Sequence, residues 1–177
     1  MNRHARFCLA CGGRLRIVTS DGRRVRRCAA CGWTFYGNSL PTVAALIVRG
    51  RRVLLTRRAH PPRAGTWDLP GGFLEPLEKP EAGLRRELRE ELGITIRDAT
   101  LVGFVMDRYG RDELPLLNIV FRVRPEPGPI RVADDVSEAR WFALDAVPYR
   151  AIGFAAMRRA VRDYARATRA RRHPSGR

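Results

Sequence analysis

The sequence predicts an α/β fold with a small metal-clamped ribbon ahead of it. Short apolar runs at 43–48 and 116–124, bounded by Gly and Pro, have the length and composition of buried strands. Stretches ending near Gly93 and spanning 152–169 repeat apolar residues every three or four positions, as amphipathic helices do. All four cysteines fall in the first 31 residues as two CxxC pairs.

The pairs are Cys8-x2-Cys11 and Cys28-x2-Cys31, and a glycine follows each. Two matched pairs at this separation resemble a zinc ribbon, in which each pair forms a tight knuckle and supplies two thiolates to a tetrahedral Zn²⁺. Two disulfides would need an oxidising compartment. The N-terminal residues show no apolar signal region, so a cytoplasmic protein is expected. A redox CxxC normally sits alone at a strand–helix junction. Four protein ligands leave no open position, so this zinc is structural. Segments 14–18 and 23–27 alternate around Ser20-Asp21-Gly22, a hairpin signal. His4, His60 and His173 stand at no ligand spacing and read as solvated or incidental.

The net charge of +16 is unevenly spread. Residues 1–38 hold eight Arg and one Asp, net +7, and residues 158–177 hold the same. The middle, with 17 Arg, one Lys and 16 acids, is nearly balanced at +2. Basic ends suit polyanions such as RNA or the steering of phosphorylated substrates. A bias towards arginine in the coding sequence accounts for them equally well, since 33 of 34 cations are Arg. No run approaches the ~18 apolar residues of a membrane span. The chain divides into a ribbon at 1–38, a main domain at 39–168 and a basic, disordered tail at 169–177.

In order, 43–48 is a buried strand, Arg49-Gly50-Arg51 turns the chain, and 53–55 is a second strand. Pro61-Pro62 and Gly65 mark a loop, and Gly71-Gly72 let the backbone approach a ligand. Pro80 suits a first helical turn, Leu84, Leu88 and Leu92 form one stripe, and Gly93 is a left-handed cap. Thr95-Ile96, 101–106, 116–124 and 138–142 follow as strands, and 152–169 as a last helix.

Within 72–94, Glu87, Glu90 and Glu91 stand at i, i+3 and i+4, within one turn on one helix face. Like charges so placed repel. Beside a glycine-rich turn they suit a hard cation that takes oxygen ligands. Gly72, five residues, Glu78, seven residues, then Arg86-Glu87-Leu88-x-Glu90-Glu91-x-Gly93-Ile94 resembles the Nudix box at every specified position. One departure is Leu77, where relatives often carry Gly; it alters the loop rather than the ligands.

The resemblance, over about 40–165, implies an α/β/α sandwich with a mixed sheet. It implies Mg²⁺ or Mn²⁺ held by Glu87, Glu90 and Glu91 with the Gly72 carbonyl, and hydrolysis of a phosphoanhydride by water. Arg86 is expected to orient a box carboxylate, and Glu78 to support the loop or a metal. The general base varies in the family. Asp134, Asp135 and Glu138 are the later candidates here, and Glu138 is chosen as further ligand or base. Arg57, Arg58 and Arg63 are candidate phosphate contacts. Phe104, Tyr109 and Phe121 could stack a base, though core packing suits Phe104 and Phe121 better.

Ribbon-bearing Nudix proteins include NADH, ADP-ribose and FAD pyrophosphatases. The Ser-Gln-Pro-Trp-Pro-Phe-Pro type signature of the NADH enzymes does not follow Ile94. That favours ADP-ribose-like or FAD-like substrates over NAD(H) and its RNA-cap form. The rival expectation is a nucleic-acid-binding or nucleotide-sensing regulator built on the ribbon and basic ends. RNA and a second copy of the chain stay open as partners, and a membrane is not expected.

Overall fold

A computed structural model describes residues 5–111, 113–133 and 135–170. They form two units, 1–40 with 108–115, and 41–107 with 116–177. The first unit therefore takes in a hairpin tip that chain order assigns to the main domain. The second helix runs through Ala170, and the rest of the expected tail, 171–177, lies outside the described residues.

The first unit is a three-stranded sheet, β1 (Leu15–Ser20), β2 (Arg23–Cys28) and β3 (Thr34–Phe35), in that order. Asp21 and Gly22 take φ of 49° and 72°, the two positive values a tight hairpin turn needs. Its core is small: Cys8, Leu15 and Cys28 are buried, with Trp33 and Phe35 packed against them. So little apolar burial leaves such a segment dependent on cross-links or metal.

The second unit is built on a sheet of order β6-β5-β4-β8-β7, with β9 on β5. The strands are β4 (Leu40–Arg49), β5 (Arg52–Arg58), β6 (Trp67–Asp68), β7 (Ile96–Tyr109), β8 (Leu114–Pro125) and β9 (Val136–Ala143). Residues 43–47 of β4 are buried on both faces, as a strand covered on both sides must be. Val43, Ala45 and Ile47 meet Leu84, Leu88 and Leu92 of helix α1 (Pro80–Leu92). On the other side of β8, Val120 and Arg122 share a groove with Ala160 and Tyr164 of helix α2 (Ala155–Ala170). The result is an α/β/α sandwich.

Three local expectations shift. The two strands expected after the box merge into the single 14-residue β7. It is the outer strand of the sheet, where polar residues such as Arg97 and Asp98 can face water without breaking the ladder. Phe104 on β7 is 61% exposed and is not core, whereas Phe121 is buried. Helix α2 starts at Ala155, because Ile152 bridges Trp67 and the Gly153 N–H donates to the Trp67 carbonyl at 2.9 Å. No Ser, Thr or Asp directly precedes α2 to cap it. The carboxylate of Asp107, on β7, accepts the Ala156 N–H at 2.9 Å instead.

Candidate active site

The box helix is held from one side and charged on the other. Leu84, Leu88 and Leu92 are fully buried at four-residue spacing. Gly93 closes the helix in the left-handed region (φ 63°), donating its N–H to the Arg89 carbonyl at 2.9 Å. Residues 131–133 run along this end: Arg131 N–H donates to the Leu92 carbonyl at 2.9 Å and Ala133 N–H to that of Glu91 at 3.0 Å. Ahead of the helix, Leu77 stands in the left-handed region (φ 64°) with its side chain in solvent. That conformation explains why glycine suits the position.

Arg86 organises the carboxylates. Its guanidinium grips Glu78 with two bonds of 3.0 and 2.9 Å. It also donates to Glu87 at 2.8 Å, to Glu90 at 3.1 Å and to the Phe73 carbonyl at 2.9 Å. The planar fork suits this work, since two parallel bonds fix orientation as well as charge. The Arg86 bonds hold Glu78 below the usual carboxylate range, and Glu78 in turn raises the pKa of Arg86.

Contact requires glycine at 71, and at 72 a side chain would displace the Glu87 carboxylate. A Cβ on Gly72 would lie 2.5 Å from a Glu87 carboxylate oxygen. One on Gly71 (φ 138°) would strike the Val43 carbonyl. The Gly71 N–H donates to Glu91 at 2.9 Å. The Gly72 carbonyl, expected to face a cation, accepts the Val43 N–H at 2.9 Å, which uses one of its two lone pairs.

Glu91 is 9% exposed. Burial pushes its carboxyl up to about 8, reinforced by Glu87, Asp68 and Asp135 and opposed by the Gly71 N–H. Glu87 is also raised by burial, against the pull of Arg86. Asp68, buried beside Arg58, is raised to about 6 for the same reason. Two adjacent glutamates whose charge is disfavoured by burial form a site that gains from an added cation.

Glu87, Glu90 and Glu91 line a cavity of ≈ 420 Å³ together with Asp135 and His60. Asp135 is tethered from both directions. Ala133 is bonded to the end of α1, and the Asp135 carbonyl accepts the Ala59 N–H at 2.7 Å. Asp134 lies outside the described residues. Glu138 is not among the cavity's lining residues. Ala139 and Trp141 of β9 pack towards the cluster that holds the α1 leucines, so strand alternation turns Glu138 to the other face. There it meets Arg57 at 3.6 Å and pairs with Arg140.

The three candidate phosphate arginines are engaged within the protein. Arg57 donates to the Gly65 carbonyl at 2.9 Å. Arg58 donates to the Pro62 carbonyl at 2.9 Å and meets Asp68 at 3.5 Å. The Arg63 guanidinium lies 5.6 Å from the Phe154 ring centre. In the sequence His60 reads as incidental and Asp135 ranks below Glu138. Both sit in irregular segments, where no periodicity shows which way a side chain points. The one available signal was Gly and Pro content, which marks loops able to approach a site.

In the first unit the four cysteine sulfurs lie within 4.8 Å of one another. Cys11 is 3.5 Å from Cys28 and 3.4 Å from Cys31, and Cys8 is 3.7 Å from Cys31. None is in a disulfide. The two knuckles repeat one hydrogen-bond pattern, Gly12 N–H to the Cys8 carbonyl at 2.9 Å and Gly32 N–H to that of Cys28 at 3.1 Å. The Cys31 backbone N–H is the leading cause that lowers the Cys28 thiol to about 7. Four convergent thiols, one of them easily ionised, can hold a metal ion. Among the described residues, no helix is long and apolar enough to cross a membrane.

Comparison with known proteins agrees with this geometry. Residues 39–164 match the NUDIX domain model. The chain is 34% identical over 149 residues to the NAD-capped RNA hydrolase NudC of Pseudomonas aeruginosa, covering 82% of this chain and 50% of that protein. It thus spans about half the length of the NudC relatives it matches. It is 27% identical over 169 residues to the ADP-ribose pyrophosphatase of Methanocaldococcus jannaschii, covering 92% of this chain and 97% of that one. In fold it resembles a NUDIX hydrolase from Nitrosomonas europaea, with a TM-score of 0.74 at 24% identity over 95% of this chain and 93% of that one. A matching model over more than half of the chain, together with a complete box folded around Arg86, shows that the chain belongs to the NUDIX family.

Proposed function

We propose that this protein hydrolyses the phosphoanhydride of a nucleoside diphosphate joined to a second group, with ADP-ribose-like compounds as the leading substrate class. The observation that carries it is the half-shielded trio Glu87, Glu90 and Glu91, held in register by Arg86 around a cavity of ≈ 420 Å³. The donor set is all oxygen and its charge is disfavoured by burial, which fits Mg²⁺ or Mn²⁺. A divalent ion bound there would neutralise phosphate charge and acidify a water. Glu91 would give up its proton to hold it, the Gly71 N–H keeps Glu91 aimed, and Arg86 Nη1 bridges Glu87 and Glu90. Asp135 is the later carboxylate facing the box and is proposed to take the proton of the attacking water.

The cysteine cluster is proposed to hold a structural zinc. Sulfurs at the corners of a tetrahedron around Zn²⁺, each at its usual bond length, stand ~3.8 Å apart. Three of the sulfur pairs stand 3.4 to 3.7 Å apart, close to that, and all lie within 4.8 Å.

The match over nearly the whole length of an ADP-ribose pyrophosphatase supports that substrate class, as does the missing downstream signature of NADH enzymes. A second reading, a diphosphate at the end of an RNA, is favoured by the NudC relatives and the ribbon arginines. Magnesium-dependent release of products should be measured on ADP-ribose, NADH, FAD, nucleoside triphosphates and NAD-capped RNA. Turnover of ADP-ribose is expected to lead. Tight, salt-sensitive RNA binding with no turnover on any of them would favour the rival regulator. In the same assay Asp135→Asn should lower kcat about 100-fold, and Glu138→Gln less. A larger loss with Glu138→Gln places the base on β9.

A further inference from the structure

We propose that His60 is the residue that binds the departing phosphate of the substrate and so selects a diphosphate over a single phosphate. This rests on the hydrolase reading above. The cavity is lined by four carboxylates and one imidazole. With a cation bound these carboxylates are ionised, and ionised carboxylates accept hydrogen bonds but donate none, so they hold the cation and repel phosphate oxygens. A diphosphate brings two phosphoryl groups to this cavity. The one being attacked faces the box and its cation. The one that leaves carries away the electron pair of the broken P–O bond, and a hydrogen-bond donor among the lining residues would hold it.

The candidate arginines are not among the cavity's lining residues. Arg57, Arg58 and Arg63 are held by the Gly65 carbonyl, by the Pro62 carbonyl with Asp68, and by the Phe154 ring. Among the described residues, the His60 imidazole bonds no protein group, and it is exposed where it lines the cavity. An imidazole presents an N–H whether neutral or protonated, so the role does not depend on its titration.

The backbone around His60 is stitched in place. Ala59 N–H bonds the Asp135 carbonyl at 2.7 Å. Arg58 and its loop partners close the other end, with Arg58 N–H to the Thr66 carbonyl at 3.0 Å and Gly65 N–H to the Arg58 carbonyl at 2.8 Å. Those bonds fix His60 one residue away from the segment that carries Asp135. The proposed base and the proposed phosphate donor are therefore positioned by one shared clasp.

The test is binding of the uncleavable methylene-bridged analogue of ADP-ribose, and of AMP, by calorimetry in Mg²⁺. His60→Ala is expected to weaken the bridged analogue about 10- to 100-fold, the range for one hydrogen bond to a charged group. AMP should change less than about twofold, and His60→Asn, which keeps an N–H donor, should recover most of the loss. Equal affinity of His60→Ala and wild type for the bridged analogue overturns the proposal, as does an equal loss for both ligands. If the wild-type chain neither cleaves nor binds any diphosphate, the hydrolase reading fails with it. An active enzyme indifferent to His60 overturns this inference alone.

Discussion

Glu91→Gln is expected to abolish hydrolysis while making the magnesium-free protein more stable at alkaline pH. The loss in kcat should be on the order of 10³-fold or more, about 4 kcal/mol of barrier. The neutral amide keeps an oxygen but not the charge that draws a divalent ion. The gain in stability follows from burial. The folded Glu91 carboxyl titrates near 8, against 4.5 for an ordinary glutamic acid. Between those values the unfolded chain has released the proton and the folded chain still holds it. The part of the metal-free protein's stability that Glu91 contributes is therefore full below about pH 4.5, falls as pH rises, and is lost above about pH 8. Asp68, raised to about 6, acts in the same direction. Gln at 91 cannot ionise, so its variant should lose most of that slope. Urea midpoints at pH 6 and 8.5 in magnesium-free buffer measure it. A wild-type midpoint that rises with pH, or a variant that still turns over substrate, contradicts the assignment.

The same burial links the metal to protons. Binding must expel the Glu91 proton below about pH 8, so magnesium affinity should grow with pH up to that point.

Removing metal from the cysteine cluster should unfold the ribbon. Cys8, Leu15 and Cys28 with two partly buried aromatics make too small a core to hold six-residue strands alone. The apparent free energy of a structural zinc site is about 10 kcal/mol or more, larger than such a segment's own stability. Cys8→Ser, or a strong zinc chelator, is expected to raise hydrogen exchange at the Leu15 and Val25 amides by at least about 10³-fold. Metal analysis should find one zinc per wild-type chain. Retained protection in Cys8→Ser, or a chain without zinc whose ribbon stays protected, would show that β1 to β3 stand without metal.

Much of the site is legible in the chain because its parts are close in sequence. Glu87, Glu90 and Glu91 share one helix, so helical periodicity alone puts them together. The four cysteines lie in two knuckles whose matched spacing marks them as one cluster. Leu84, Leu88 and Leu92 declare the buried face by their period, and the buried face fixes the direction of the charged one. Gly93 announces the helix end because only glycine takes that backbone without strain.

Residues brought together by loops are a different matter. His60 and Asp135 are 75 positions apart in the sequence. They meet because Ala59 and Asp135 share one backbone bond, and a backbone bond leaves no mark on side-chain type. The Asp107 cap of α2 and the commitment of Arg57, Arg58 and Arg63 are hidden for the same reason. Glu138 shows the reverse case, since its sequence neighbourhood is suggestive while the strand's alternation turns it towards Arg57. By itself the sequence determined the four-cysteine cluster, the sandwich and the box helix, because short-range spacing and periodicity encode them. Only the tertiary structure decided which later residues face the box, because non-local hydrogen bonds and strand alternation set the direction of each side chain.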